Sequence, residues 1–459
     1  MANKIPVIAV FDIGKTNKKL FLFNDHYRIV HEESTQLKET ADEDGDTCED
    51  LAALTLWVSS TFEKAMQLPQ FDIKSVNFSA YGASFVHIMY RGSNLLPLYN
   101  YLKPYPQDLQ DEFYNAYGGK ELVAKQTASP VSGSLNSGLQ LYRLKKQKPE
   151  VYDSIRKSLH LPQYLSYLIT NQEFSDITSL GCHTSLWDFE AGHYHDWVYA
   201  EGIDKKLAPI AKGDEGFKIS YGNTTIKAGI GLHDSSAALI PYLLNFIEPF
   251  ILISTGTWCI SLNPFNDQPL TVEELKDDCL CYLTYKGKPV KASRLFAGNE
   301  HEIQTKKIAA HFNIDNNFYK QIEYNPLLTD ELKAVEINKN KSAGGFAELE
   351  LDKFDNPEAA YHQLILNIMD RQLLSTQMVL TGTKVKRIFV DGGFGKNPIF
   401  MNLLAAAFPE TEVFAASMAQ ATAMGAALAI HNQWNAQPLP GDMIELKMYT
   451  LPLASSITL

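Results

Sequence analysis

Two segments about half the chain apart carry the residue types that grip phosphate. Phe11–Asn17 reads Phe-Asp-Ile-Gly-Lys-Thr-Asn, and Ile253–Trp258 reads Ile-Ser-Thr-Gly-Thr-Trp. In each, an apolar β-type run (Val7–Phe11; Phe250–Ile253) enters a turn holding glycine and hydroxyl groups. A second β-type run leaves it (Leu20–Phe23; Cys259–Leu262). Such a hairpin tip aims backbone N–H groups and hydroxyls at one spot, which suits a phosphate. Two of them predict related halves that hold one polyphosphate from opposite sides, the arrangement of a phosphotransferase.

In the first turn Asp12, Gly14, Lys15, Thr16 and Asn17 are the candidates. An acidic residue directly before a phosphate-type turn makes sense as a holder of Mg²⁺, usually through water. Thr16 and Asn17 can donate to phosphate oxygens. An ordinary β-hairpin with turn-forming residues gives the same local pattern. In the second turn, Thr255, Gly256 and Thr257 with Ser254 are denser in hydroxyls than a structural turn needs. Gly392-Gly393-Phe394-Gly395-Lys396-Asn397-Pro398 ends a strand and opens a helix, where glycines permit close backbone approach and a helix N-terminus favours phosphate. Gly392, Gly393 and Asn397 are the candidates there. Gly231-Leu232-His233-Asp234-Ser235 follows a strand and opens a helix of small residues. Asp234 at that point is either a helix cap or a carboxylate projected into a cleft as a base toward a hydroxyl. From its local context alone, the cap is the simpler reading. His233, and His193 with His195, read as packing or hydrogen-bonding residues.

The elements that must position these groups follow from periodicity. Pro6–Phe11, Leu20–Phe23 and Arg28–Glu33 read as strands, residues 36–48 as a solvated acidic loop, and Leu51–Gln67 as a helix. Ser75–Ala80 and Val86–Tyr90 read as strands, and Leu139–Lys146 and Pro149–Thr170 as helices, the second opened by its proline. A strand over Asn223–Gly231 leads into a helix over His233–Asn245. The second half repeats the logic. It has the 250–262 hairpin, a polar surface stretch Asn313–Lys341, a long helix Asn356–Leu380 and a buried strand Val385–Val390. Helices Asn397–Phe408 and Ala419–His431 follow, and the last ~25 residues carry no motif. A two-domain α/β protein with a hinge near residues 230–250 is the expected partition, giving domains 1–246 and 247–459.

Composition bounds the function classes. At 459 residues, 45% apolar and 20% charged, the chain is ordinary for a globular protein. No apolar run approaches the ~18 residues of a membrane span, and the N-terminus lacks a signal-peptide pattern. Five scattered cysteines read as reduced thiols of a cytoplasmic protein, Cys279-x-Cys281 included. A formal net charge of −12 argues against nucleic acid and an anionic membrane as partners. It does not argue against ATP, which local donors and a metal ion hold.

Taken together, these segments resemble the FGGY family of carbohydrate kinases, from about Val7 to His431. The family's Asp-x-Gly-x-Thr-Ser/Asn matches Asp12–Asn17, and Gly-x-x-Asp-x-x-Ala matches Gly231–Ala237. Its Ser-Thr-Gly-Thr matches Ser254–Thr257, Gly-Gly-x-x-x-Asn-Pro matches Gly392–Pro398, and Ala-Thr-Ala-x-Gly-Ala-Ala matches Ala421–Ala427. The resemblance implies an actin-like ATPase (ribonuclease H-like) fold of two domains with a nucleotide cleft between them. It also implies ATP and Mg²⁺ as cofactors. Asp12 would organise Mg²⁺ and phosphate, and Asp234 would be the catalytic base, which overrides the cap reading. Thr16, Asn17, Thr255 and Thr257 would contact phosphates, and Gly393 and Asn397 the nucleotide. Tyr81-Gly82-Ala83-Ser84-Phe85 resembles a sugar-binding segment of rhamnulokinases, with Ser84 where an acid is expected; Leu102 stands where another acid is expected. Asp176 belongs to a segment, Phe174–Thr178, similar to one that lines the sugar pocket. The implied activity is transfer of the γ-phosphate of ATP to a primary hydroxyl of a small sugar, a ketose such as L-rhamnulose or L-fuculose. A pentulose kinase of xylulose or ribulose type, a silent sugar-binding regulator on the same fold, and another actin-like ATPase are the alternatives. A homodimer stays open.

Overall fold

The computed structural model describes residues 4–90, 96–222, 224–334, 348–418 and 420–450. Two seven-stranded sheets carry the fold. In the first, β1 (Ile5–Ile13) pairs antiparallel with β2 (Lys18–Asn24), which pairs antiparallel with β3 (Ile29–Thr35). On its other side β1 pairs parallel with β4 (Phe71–Ala80), which carries β6 (Thr224–Gly229), β5 (Gly216–Tyr221) beyond it, and the short β7 (Leu232–His233). In the second, β8 (Phe250–Thr255) and β9 (Cys259–Asn263) form the hairpin. β10 (Cys279–Leu283) and β11 (Pro289–Leu295) extend it antiparallel, with β11 next to β9. β8 pairs parallel with β12 (Arg387–Gly392), and β13 (Glu412–Ser417) and β14 (Glu445–Tyr449) follow. Both halves therefore place an antiparallel hairpin beside a parallel strand, and each hairpin turn lies at the end of its sheet where that parallel strand finishes, Ile13 opposite Ala80 and Thr255 opposite Gly392.

Sequence explains most of these elements. Helix α1 (Leu51–Gln67) is capped by Asp50, whose side chain accepts from Ala53 N at 2.9 Å, and Leu51, Leu54, Val58, Phe62 and Ala65 bury one face against the first sheet. α2 (Asp234–Asn245) follows β7 directly. α3 (Pro357–Leu380) is capped by Asn356 and has proline at its first position. α4 (Pro398–Ala407) is capped by Asn397. α5 (Ala421–Ala429) packs so closely on α2 that a Cβ on Gly425 would sit 1.8 Å from Ala237 O. This pair, with Ile8, Val10, Phe21 and Phe23 from the first sheet, forms a core joining the two halves. Tyr27 OH and His431 Nδ1, 2.6 Å apart, extend that contact.

Two expectations change. Pro149–Thr170 is not one helix. It breaks into a helix to Ser154, a strand Ile155–His160 and a helix Leu161–Thr170. The strand wins because it pairs with Phe85–Met89 and buries Ile155, Ser158, Leu159 and His160, and Pro162 restarts the helix. The 36–48 stretch is not simply a solvated loop: Asp42 is buried, and Asp42, Asp44 and Asp46 surround Lys103 Nζ at 2.5, 2.8 and 3.1 Å. The C-terminal stretch supplies edge strand β14, whose exposed side chains leave little apolar signal. In the 313–341 stretch, Phe318, Tyr319 and Tyr324 pack on the second core, and residues 335–341 lie outside the described residues, as do Asn223, Ala419 and 451–459. All five cysteines are free and buried, and burial pushes the thiols of Cys279 and Cys281 up to about 12. No described helix is long and apolar enough to cross a membrane.

Candidate active site

Asp12 sits near the end of β1, opposite Lys19 of β2. Its Oδ2 accepts a hydrogen bond from Thr422 Oγ1 at 2.7 Å, so a residue from the start of α5 reaches the first hairpin. Burial pushes the Asp12 carboxyl up to about 6; the Thr422 bond opposes this, the nearby Asp234 charge adds to it, and Lys19 opposes it. Thr16 and Asn17 are exposed at the turn, Gly14 N donates to Asn17 O at 3.0 Å, and Asn17 Oδ1 accepts from Gln36. Lys15 is paired with Glu39 at 2.9 Å and lies 3.8 Å from Glu49.

Asp234 is the first residue of α2, and the cap position belongs to His233, which makes no side-chain cap bond. The carboxylate is one-third exposed; Oδ1 accepts from Ser235 N at 2.6 Å and lies 3.3 Å from His233 Nε2. Its placement is not that of a helix cap, because the bonded N–H is that of the next residue rather than of the second or third turn position. His233 is buried, and burial lowers its pKa, with Asp234 opposing; its Nε2 is 3.2 Å from Cys182 Sγ. Gly82 makes room for that ring: a Cβ there would lie 2.7 Å from His233 Cδ2.

The second hairpin is braced to the glycine turn. Thr255 is buried, and its hydroxyl donates to Asp391 O at 2.6 Å and accepts from Phe394 N at 3.0 Å. Thr255 O accepts from Gly393 N at 3.0 Å. Gly392 has φ +94°, and a Cβ there would sit 1.9 Å from Thr255 O, so this turn needs glycine on both counts. Gly256 and Thr257 stay exposed at the tip, and Gly393 faces open space. Because Thr255 bridges two backbone groups, Thr255→Val should cost about 1–3 kcal/mol of stability through the orphaned Phe394 N–H and Asp391 carbonyl; chemical denaturation measures it.

A cavity of about 420 Å³ opens between these pieces, lined by Gly256, Gly298, His301, Tyr319, Lys320, Gly393, Phe394, Lys396, Asn397 and Pro398. Its glycines keep its walls low. Asn397 spends its Oδ1 capping α4 at Ile399 N and Phe400 N, and its Nδ2 donates to Tyr361 OH at 2.7 Å. Tyr361 OH is 2.9 Å from His301 Nε2, and burial holds His301 near pKa 4, hence neutral. His301, Tyr319 and Gly298 were not singled out in the sequence, since no glycine motif or hydroxyl cluster marks them.

The segment 81–85 forms a wall locked from behind. Ala83 takes a left-handed φ of 58°, Gln140 Nε2 donates to Ala83 O at 2.8 Å and Ser134 O at 2.6 Å, and Ser84 O accepts from Leu161 N. Tyr81, Ser84 and Phe85 are buried, Phe85 stacked on His160 at 4.0 Å. Tyr101 meets the Tyr81 ring at 6.2 Å, whereas Leu102 is 73% exposed and stands apart from this wall. Asp176 is fully buried: Oδ2 accepts from Thr178 Oγ1 and Ser179 N, capping a short helix, while Oδ1 is buried without a hydrogen-bond partner. Burial pushes its pKa to about 7. Thr178 Oγ1 in turn accepts from His233 N at 2.9 Å, which links Asp176 to the strand leading into Asp234.

Family models match both halves of the chain. The FGGY carbohydrate kinase N-terminal domain model covers residues 7–235, and the C-terminal domain model covers residues 247–438. The chain belongs to the FGGY family of carbohydrate kinases. Its fold is the actin-like ATPase fold of that family. A carbohydrate kinase from Novosphingobium aromaticivorans superposes with a TM-score of 0.80 at 22% identity, over 98% of this chain and 95% of that one. A xylulose kinase from Lactobacillus acidophilus gives 0.79 at 16% identity, over 98% and 94%. Among curated proteins, a rhamnulokinase from Halalkalibacterium halodurans is 22% identical over 274 residues, 58% of this chain; the match spans 56% of that protein's length. In this FGGY chain Asp12 lies in β1 and Asp234 opens α2, and the Asp12 carboxylate is tied to the second half through Thr422.

Proposed function

We propose that this FGGY chain is an ATP-dependent sugar kinase that phosphorylates a primary hydroxyl of a small ketose. The supporting observation is a partly exposed carboxylate, Asp234, at the start of α2, with a second, half-buried carboxylate, Asp12, at the end of the strand that enters a phosphate-type hairpin. Residues 1–246 carry the sugar wall and the first hairpin, and residues 247–459 carry the nucleotide cavity. Asp234 accepts the proton of the attacking hydroxyl. Thr16, Asn17, Gly256 and Thr257 offer donors to phosphate oxygens, and the 420 Å³ cavity bounded by Gly298, Tyr319 and Gly393 accommodates the nucleoside end of ATP. The reaction asks mainly for positioning and charge stabilisation. Mg²⁺ fits beside Asp12, because burial, with the Asp234 charge added, raises a carboxylate that lacks a full countercharge; bound there, it would neutralise phosphate charge.

For the acceptor, the similarity to a rhamnulokinase and the paired rings of Tyr81 and Tyr101 favour a ketose with an apolar face, L-rhamnulose or L-fuculose, over glycerol. The xylulose kinases among the structural neighbours keep pentuloses as the second reading. A panel of ketoses, alditols and aldoses in a coupled ADP-release assay tests this. At least one ketose should turn over, with the 6-deoxy ketoses ahead of glycerol. Asp176→Ala should raise the sugar KM while ATP still binds, because Asp176 holds Thr178 and, through it, the backbone ahead of Asp234. Glycerol turning over as well as every ketose, or an Asp176→Ala chain with an unaltered sugar KM, would refute the reading.

A further inference from the structure

Lys18 is a lysine with almost no exposed surface in a turn region where lysine is ordinarily solvated: its relative exposure is 1%. Its ammonium has three donors, and all three are used. It donates to Gly14 O at 3.2 Å and Lys15 O at 2.9 Å, and pairs with Glu49 Oε1 at 2.6 Å. Glu49 is equally buried, at 3%, and its other oxygen, Oε2, accepts from Tyr81 OH at 3.2 Å. Tyr81 begins the wall segment 81–85. A single chain of contacts therefore runs from the carbonyls of the first hairpin turn, through Lys18 and Glu49, to the first residue of that wall.

The consequence follows from peptide geometry. In a trans peptide the C=O of one residue and the N–H of the next belong to one planar unit and point in opposite directions. Pulling the carbonyls of Gly14 and Lys15 onto the buried ammonium turns the N–H groups of Lys15 and Thr16 the other way, out of the core. Neither of those N–H groups has a protein acceptor among the described backbone hydrogen bonds. A buried ion pair is poor value for stability, since desolvation offsets most of its attraction, but it fixes geometry.

We propose that Lys18, Glu49 and Tyr81 are a positioning network: they hold the first hairpin turn with two N–H donors free for phosphate, and they tie that setting to the sugar-side wall. The inference rests on reading the hairpin as a phosphate turn. Lys18 and Glu49 touch neither substrate, so they are positioning residues.

The test is calorimetric binding of two probes to the purified full chain: a non-hydrolysable ATP analogue with Mg²⁺, and AMP, which lacks the β- and γ-phosphates. Glu49→Gln should weaken the analogue about tenfold, the scale of a hydrogen bond to a charged group. Tyr81→Phe, which removes one oxygen and keeps the ring, should weaken it about threefold. AMP should bind both variants as it binds the parent. The double variant should be no weaker than Glu49→Gln alone, because both act through one carboxylate. Lys18→Arg should recover more analogue affinity than Lys18→Met. Unchanged analogue affinity in Glu49→Gln and Tyr81→Phe would overturn the proposal. So would equal weakening of AMP and analogue, or losses that multiply in the double variant. Asp12→Ala separates the two levels. If it too leaves analogue affinity untouched, the phosphate reading of the hairpin fails; if it alone weakens the analogue, only the network fails.

Discussion

Replacing Asp234 by asparagine should lower turnover about 10²-fold or more while leaving nucleotide binding nearly intact. The magnitude is that of a general base removed from a positioned site. Asparagine keeps the size of the side chain and can still accept from Ser235 N, the 2.6 Å bond that fixes the carboxylate at the start of α2. It cannot take up a proton. The helix loses only a favourable charge at its N-terminus, about 0.3–1 kcal/mol, so the fold persists. The cavity proposed for the nucleotide is lined only by residues of the second half. Steady-state kinetics on the best ketose of the panel, with calorimetric titration of ADP, gives both readouts. Wild-type-like turnover would remove Asp234 as base, and lost ADP binding would show that it serves the architecture instead.

How much of this was legible in the sequence depends on whether a residue acts through its own neighbours or through distant ones. The two hairpins, α1, α2, α3 and the strand before Gly392 are local: their apolar periodicity, caps and prolines sit within a few residues of each other. The helix read over 149–170 failed because the strand Ile155–His160 is decided by its partner Phe85–Met89, some seventy residues away. The same holds for the site. Asp12, Asp234 and the glycine turn announce themselves by motif. Lys18, Glu49, Gln140 and His301 do not, because each matters through a contact with a residue far off in the chain, such as Gln140 with Ala83, and the Ala421–Ala427 motif does not itself say that its Thr422 reaches Asp12. Thr255 shows the reverse case. Its hydroxyl was read as a phosphate donor, and in the fold it is bonded to Asp391 O and Phe394 N, bracing the hairpin tip that Gly256 and Thr257 expose.

Asp12→Ala should lower Mg²⁺-dependent turnover about 10²-fold or more, and Asp12→Asn should raise thermal stability at neutral pH. The first follows from the loss of the carboxylate proposed to hold Mg²⁺; the second follows from burial, which pushes the Asp12 carboxyl up to about 6 from an ordinary 3.8. The folded state holds this proton more tightly than the unfolded chain does. The group's contribution to stability is therefore full below about pH 4, is lost as pH rises through about 6, and stays lost above it. Removing the charge relieves that loss, so the Asp12→Asn melting temperature should exceed that of the parent by a few degrees near pH 8 and converge with it near pH 4. A divalent cation beside Asp12 must displace the same proton. At limiting Mg²⁺, the acid limb of kcat/KM should lie near pH 6, and it should move to lower pH as Mg²⁺ is raised. The Asp12→Asn chain should lack that movement, because an amide binds the metal weakly and carries no titrating proton. Melting curves and pH–rate profiles at two Mg²⁺ concentrations decide it. An acid limb indifferent to Mg²⁺, or an Asp12→Asn chain less stable than its parent near pH 8, would mean that burial of this carboxylate is balanced by something other than a metal ion.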